Sequence, residues 1–146
     1  MTIKTELTID APADAIFAVV ANPERVPGFV SILGENANVY PADPSVGQSW
    51  DAIFAVDGAA VKVVAWCSTY EPSARYAVRT KGALASAWTY TFEPAGTGTR
   101  VALEVAPTND AAASSPLMLA ITAQAASWLE NLKGLVGERE RVTTAP

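Results

Sequence analysis

The chain has 146 residues, 50% hydrophobic and 17% charged, with a formal net charge of −5. This size and apolar share suit one folded domain over residues 1–146 and exclude a disordered chain, and the acidic balance gives no basic footprint for nucleic acid or an anionic membrane surface. With no histidine and one cysteine, Cys67, the sequence also excludes an internal disulfide, histidine-based nucleophile pairs and the common zinc ligand sets, so no metal or cofactor is expected.

Taken in chain order, Ile3, Thr5, Leu7 and Ile9 alternate with polar neighbours and predict a half-buried strand over residues 2–10. This opening lacks the apolar run of a signal peptide, and no apolar stretch is long enough to span a membrane; with a single cysteine and no disulfide, a reducing cytoplasm is the expected location. "APADAIFAVVANPERVPGF" then reads as two short helices. Pro12 sits in the first turn, Asp14 complements the positive helix end, and Ile16, Phe17 and Val20 share a face. Asn22-Pro23 stops the first helix and caps the second, which ends at Pro27-Gly28.

Strands follow. Residues 36–41 form a weak candidate, and residues 47–56 a better one with Trp50, Ala52, Phe54 and Val56 on one side. Asp57-Gly58 is a hairpin signal leading into residues 60–70. On that return strand the parity of Trp66 is open: it faces out if Val61, Val63, Ala65 and Cys67 face in, and a one-residue bulge would invert the answer. A turn at 71–74 precedes a strand at 75–80, broken by Lys81-Gly82; strands 84–93 and 99–106 flank "EPAGTGT". Trp88, Tyr90 and Phe92 share one face and are expected to press on the last helix.

"PTNDAAASS" reads as a small-residue loop. Ser115 caps a long helix with Pro116 at its first position, running to about Lys133, with a continuation to Arg141 after a break near Gly134 or Gly137. Leu117, Ile121, Gln124, Trp128, Leu132 and Leu135 form its stripe. The whole is an α+β antiparallel meander whose terminal helix must bury that stripe on the sheet.

In order and spacing, "IDAPADAIFAVVANPERVPGF", "VGQSW", "STYEPSARYAV", "WTYTFEPAGTGTRVALEV" and "LENLKGLVGE" resemble the START/polyketide cyclase-like superfamily (SRPBCC), which includes the birch-pollen-allergen relatives. The resemblance covers nearly the whole chain, though none of these segments is itself catalytic. It implies a helix-grip fold: a curved antiparallel sheet of about seven strands around the long C-terminal helix, with two short helices after the first strand and a hydrophobic cavity between sheet and helix. It also implies a role in binding lipid- or polyketide-like molecules, with cyclase or dehydratase chemistry and protein interaction as alternatives.

Under that implication the candidate ligand-binding residues are Trp50, Phe54, Trp88, Tyr90, Met118, Ile121, Gln124 and Trp128. Trp88 and Tyr90 carry polar handles, and Gln124 interrupts an apolar stripe, so it either anchors a ligand oxygen or sits at an edge. The aromatic row has a plain alternative as packed core. Loop 107–115 and segment Val26–Leu33 are candidate gates. Asp51, Asp57, Glu71, Glu93, Glu104, Arg75 and Arg79 read as surface charges, and no pair of carboxylates is spaced for acid–base work. The expected partner is a hydrophobic small molecule, with a homodimer left open, and no catalytic residue is assigned.

Overall fold

The structure, a computed structural model, describes residues 2–144. Seven strands form one antiparallel sheet in the order β1-β7-β6-β5-β4-β3-β2. β1 (Ile3–Ile9) pairs with β7 (Gly98–Pro107), and the remaining strands are β2 (Leu33–Tyr40), β3 (Ser49–Val56), β4 (Ala59–Glu71), β5 (Arg75–Gly82) and β6 (Ser86–Ala95). Consecutive strands from β2 to β7 are neighbours, as a meander requires. The sheet curves around the terminal helix in a helix-grip arrangement. No helix among the described residues is long and apolar enough to cross a membrane.

Between β1 and β2 the chain forms α1 (Ala13–Val20), entered through Pro12 in extended conformation and burying Ile16, Phe17, Val19 and Val20. The expected second short helix is a single 3₁₀ turn, Val26–Gly28. Asn22 spends its side chain on the Glu24 amide at 3.2 Å, which tightens a turn, while Pro27 and Gly28 oppose further helix.

Asp57 and Gly58 adopt φ of 49° and 80°, the mirror-image turn that matches strand twist, and Val56 pairs with Ala59 across it. Val63, Ala65 and Cys67 are buried, so Trp66 lies on the outer face of the sheet. The bulge that could have inverted this falls just beyond, between Cys67 and Thr69, and turns Tyr70 inward opposite Tyr76.

Residues 107–115 are not a plain loop. They contain the helical turn α2 (Asp110–Ala113), capped by Asn109 accepting the Ala112 amide at 2.7 Å. Ser115 caps α3 (Pro116–Thr144) as expected, accepting from the Met118 amide at 3.1 Å. α3 runs unbroken through Gly134 and Gly137 for 29 residues, about 43 Å at ~1.5 Å per residue. A glycine costs a helix about 1 kcal/mol, too little to break one whose Leu132 and Val136 are buried on either side of Gly134. The α3 stripe is wider than predicted, because Met118, Ala125 and Leu129 are also buried.

Two glycines give opposite expectations. A Cβ on Gly98 would strike the Ile9 carbonyl, with the Asp10 Cα 3.0 Å away, where β7 meets the end of β1. Gly98→Ala is therefore expected to cost about 1–3 kcal/mol in urea unfolding. Gly134 is exposed on α3 with open space where its Cβ would be, so Gly134→Ala is expected to gain about 0.5–1 kcal/mol.

Candidate functional site

The aromatic row of β6 meets three elements rather than α3 alone. Trp88 stacks on Trp128 of α3, with centroids 5.6 Å apart and planes 11° from parallel. Tyr90 meets Phe29, just beyond the 3₁₀ turn, edge-on at 6.4 Å. Phe92 meets Phe17 of α1 at 5.4 Å. The expectation that all three rings face the terminal helix holds for Trp88. The others are taken by α1 and the segment after it, which cover that end of the sheet.

Between these contacts lies an apolar cavity of about 50 Å³. The period-two alternation of the strands builds one wall, with Trp50, Ala52 and Phe54 from β3 and Tyr76, Val78 and Thr80 from β5, joined by Ala65, Trp88 and Tyr90. β2 adds Leu33 and Asn36 to that wall, and Val20 of α1 with Val26 and Val30 cover it. Four of the candidate residues, Trp50, Phe54, Trp88 and Tyr90, thus share one space. The four from α3 do not line it. Met118 and Ile121 are fully buried in the core, Trp128 lies against Trp88, and Gln124 accepts a hydrogen bond from the Ser31 hydroxyl at 2.5 Å.

That last contact belongs to a small network. The Trp128 Nε1–H donates to Ser31 Oγ at 3.0 Å, and Asn131 Nδ2 donates to the Phe29 carbonyl at 3.1 Å. Segment Val26–Leu33, which roofs the cavity through Val26 and Val30, is in this way tied to α3. The other candidate gate, residues 107–115, contributes nothing to the lining.

The polar inventory of the cavity is short. Trp88 Nε1–H is already spent on Ser86 Oγ at 3.0 Å, and Thr80 Oγ1 donates to the Leu84 carbonyl at 2.7 Å while sharing a 2.6 Å contact with Ser86. Asn36 donates Nδ2 to the Pro23 carbonyl at 2.7 Å, which fixes the amide orientation and leaves Oδ1 buried without a partner. An orphaned acceptor of this kind costs about 1–3 kcal/mol. Among the described residues, the Tyr76 and Tyr90 hydroxyls make no protein hydrogen bond.

Burial pushes the Tyr90 hydroxyl well above the ordinary phenol range. Tyr76 is raised by burial first, and further by Cys67, Tyr90 and Tyr70 nearby. Burial likewise raises the Cys67 thiol. Both tyrosines are therefore neutral donors over the physiological range. Tyr76, which with Tyr90 and Gln124 is a sequence candidate for orienting an enolate under the cyclase alternative, lines this cavity with Tyr90, whereas Gln124 does not. Asn36 is not a sequence candidate and has no sequence signal, because its role depends on a carbonyl 13 positions earlier.

A second cavity, of about 380 Å³, opens between the end of α1 and the β2–β3 connection. Phe17, Tyr70 and Gln48 are among its lining residues.

The family model described as polyketide cyclase/dehydrase and lipid transport matches residues 1–137. A comparison with curated proteins gave no match. Among solved structures, TTHA0849 from Thermus thermophilus superposes with a TM-score of 0.75 at 17% identity, covering 95% of this chain and 99% of that one. Ara h 8.0201 gives 0.67 at 16% identity, covering 94% of this chain and 98% of that one. The di-domain ARO/CYC StfQ from the steffimycin biosynthetic pathway gives 0.74 at 14% identity, covering 95% of this chain and 52% of that one. At these identities the likeness is one of fold.

Proposed function

The chain belongs to the polyketide cyclase/dehydrase and lipid transport family, and from that premise we propose that it binds an apolar, lipid- or polyketide-like small molecule between its sheet and the structures that cover it. The observation that carries this reading is the cavity wall itself: apolar and aromatic, with a few polar groups not spent on the protein. Tyr76 and Tyr90 offer two neutral hydroxyls with rings 6.4 Å apart, and Asn36 offers an acceptor. A guest with a carbonyl or hydroxyl group would satisfy them, while ring and alkyl contacts supply affinity.

The resting volume of about 50 Å³ accommodates only a few waters, at ~10–15 Å³ of such space each. Binding therefore involves displacement of the Val26–Leu33 roof, held by the Ser31 and Phe29 hydrogen bonds to α3. The affinity is reduced by the fraction of time that roof is closed. A cyclase-type reading shares the tyrosine pair, which could hold an enolate oxygen. It is the weaker of the two because the lining contains no carboxylate, lysine or cysteine to take a proton.

A panel of fatty acids and aromatic polyketones, followed by quenching of tryptophan fluorescence and by thermal shift, tests the binding reading. Saturable quenching is expected, because Trp50 and Trp88 line the cavity. Tyr76→Phe and Tyr90→Phe are each expected to weaken a carbonyl-bearing guest about 3- to 10-fold, the worth of one hydrogen bond, without lowering Tm. A panel in which no member quenches or raises Tm would reject the reading.

A further inference from the structure

We propose that the cavity between the end of α1 and the β2–β3 connection is a second, separate ligand site, for an uncharged ring-bearing molecule with a hydroxyl donor. It is much the larger of the two spaces, at about 380 Å³ against about 50 Å³, and within the size range of small-molecule pockets. The two linings share no residue. An aromatic partition stands between them: Phe17 meets Tyr70 edge-on at 5.4 Å on the outer side, and Tyr70 meets Tyr76 of the inner cavity at 6.3 Å. The Pro23 carbonyl bonded to Asn36 closes the same boundary elsewhere, with Pro23 lining the outer space and Asn36 the inner.

Gln48 specifies the ligand chemistry. Its side chain is 1% exposed, and Nε2 donates to the Pro41 and Ala42 carbonyls at 3.0 and 3.3 Å. Those bonds fix the amide orientation and leave Oε1 buried without a partner. A buried acceptor with its donor half already committed selects a ligand that brings a donor. The Phe17 and Tyr70 rings select a flat apolar body. Glu24, the one charged residue of the lining, sits at the exposed rim and disfavours an anion there. Oε1 is shut away, with its amide head against Pro41 and Ala42. Asp43 and Pro44 are exposed and carry neither of those bonds; their displacement gives an entering hydroxyl access to Oε1 while Pro41 and Ala42 keep the donor half committed.

The test is an amide NMR titration with 2-naphthol, 2-methoxynaphthalene and 2-naphthoate. 2-Naphthol is expected to shift the amides of Ala21, Asn22, Val39 and Gln48 saturably, leaving Ala52 and Ala65 of the inner cavity unmoved. The ether and the carboxylate are expected to bind at least about 3-fold more weakly, for want of the donor and because of the charge respectively. Ala18→Trp, on the exposed side of α1, should fill the space and abolish the shifts; Ala42→Trp, on the exposed connection, does the same should the first variant fail to fold. Shifts confined to Ala52, Ala65 and Trp88, shifts that do not saturate, or 2-naphthol binding that survives both tryptophan variants would each overturn the proposal.

Discussion

Trp128→Ala is expected to destabilise the protein by about 3–5 kcal/mol, lowering Tm by roughly 10–15 °C. Trp128 is 0% exposed, its ring stacks on Trp88, and its Nε1–H holds Ser31 on the roof segment. Truncation therefore removes three things together: apolar contact, an aromatic pair and the donor of a tertiary hydrogen bond. Trp128→Phe keeps most of the first two and loses the third, so a smaller loss of about 1–2 kcal/mol is expected. The alanine variant also leaves an apolar void against Trp88, which lines the inner cavity. Such voids bind aromatic guests, so added indole should restore stability, by about 1.4 kcal/mol at ten times its dissociation constant. Urea unfolding with and without indole measures both effects. A loss below about 1 kcal/mol, or no response to indole, would show that the stack carries little of the core.

The roof network that Trp128 anchors also marks where sequence reading ended. Periodicity found the strands, the cap at Ser115 and the shared face of Trp50, Phe54, Trp88 and Tyr90, because alternation along a strand is local and burial selects it directly. It did not find that Tyr90 and Phe92 face Phe29 and Phe17, since which element covers which part of a sheet is a tertiary matter. Gln124 shows the same limit. Its place in the apolar stripe was legible, but its partner Ser31 lies 93 positions away. Among the described residues Asn36 and Gln48 carry orphaned acceptors, and each donates its amide hydrogens to backbone carbonyls fixed by turns. No residue pattern encodes such a carbonyl. The short second helix failed for a local reason, because the Asn22 turn and Pro27-Gly28 left room for one 3₁₀ turn.

Alkaline pH is expected to unfold the protein at a threshold set by Tyr76 and Tyr90. Both phenols are raised far above their ordinary value near 10, and they are 2% and 3% exposed. A group whose folded-state pKa is raised holds its proton in the native state after the unfolded chain has lost it. Its stabilising contribution is fully present below the unfolded pKa and declines as pH climbs past that value toward the folded one. Stability is therefore expected to hold to about pH 9, with the Cys67 thiol, also raised, adding the same sign of change from near its ordinary value of 9.0. Above pH 10 each tyrosine subtracts about 1.4 kcal/mol per pH unit, so the pair removes roughly 5 kcal/mol by pH 12. That is comparable to the whole stability of many domains of this size, about 5–15 kcal/mol. Urea unfolding between pH 8 and pH 12 should show the decline. The Tyr76→Phe/Tyr90→Phe double variant should lose most of the slope while keeping its stability at pH 8, since neither hydroxyl bonds a described residue of the protein. Parallel pH profiles for the two proteins would place the alkaline transition elsewhere and show that the cavity hydroxyls ionise without unfolding the chain.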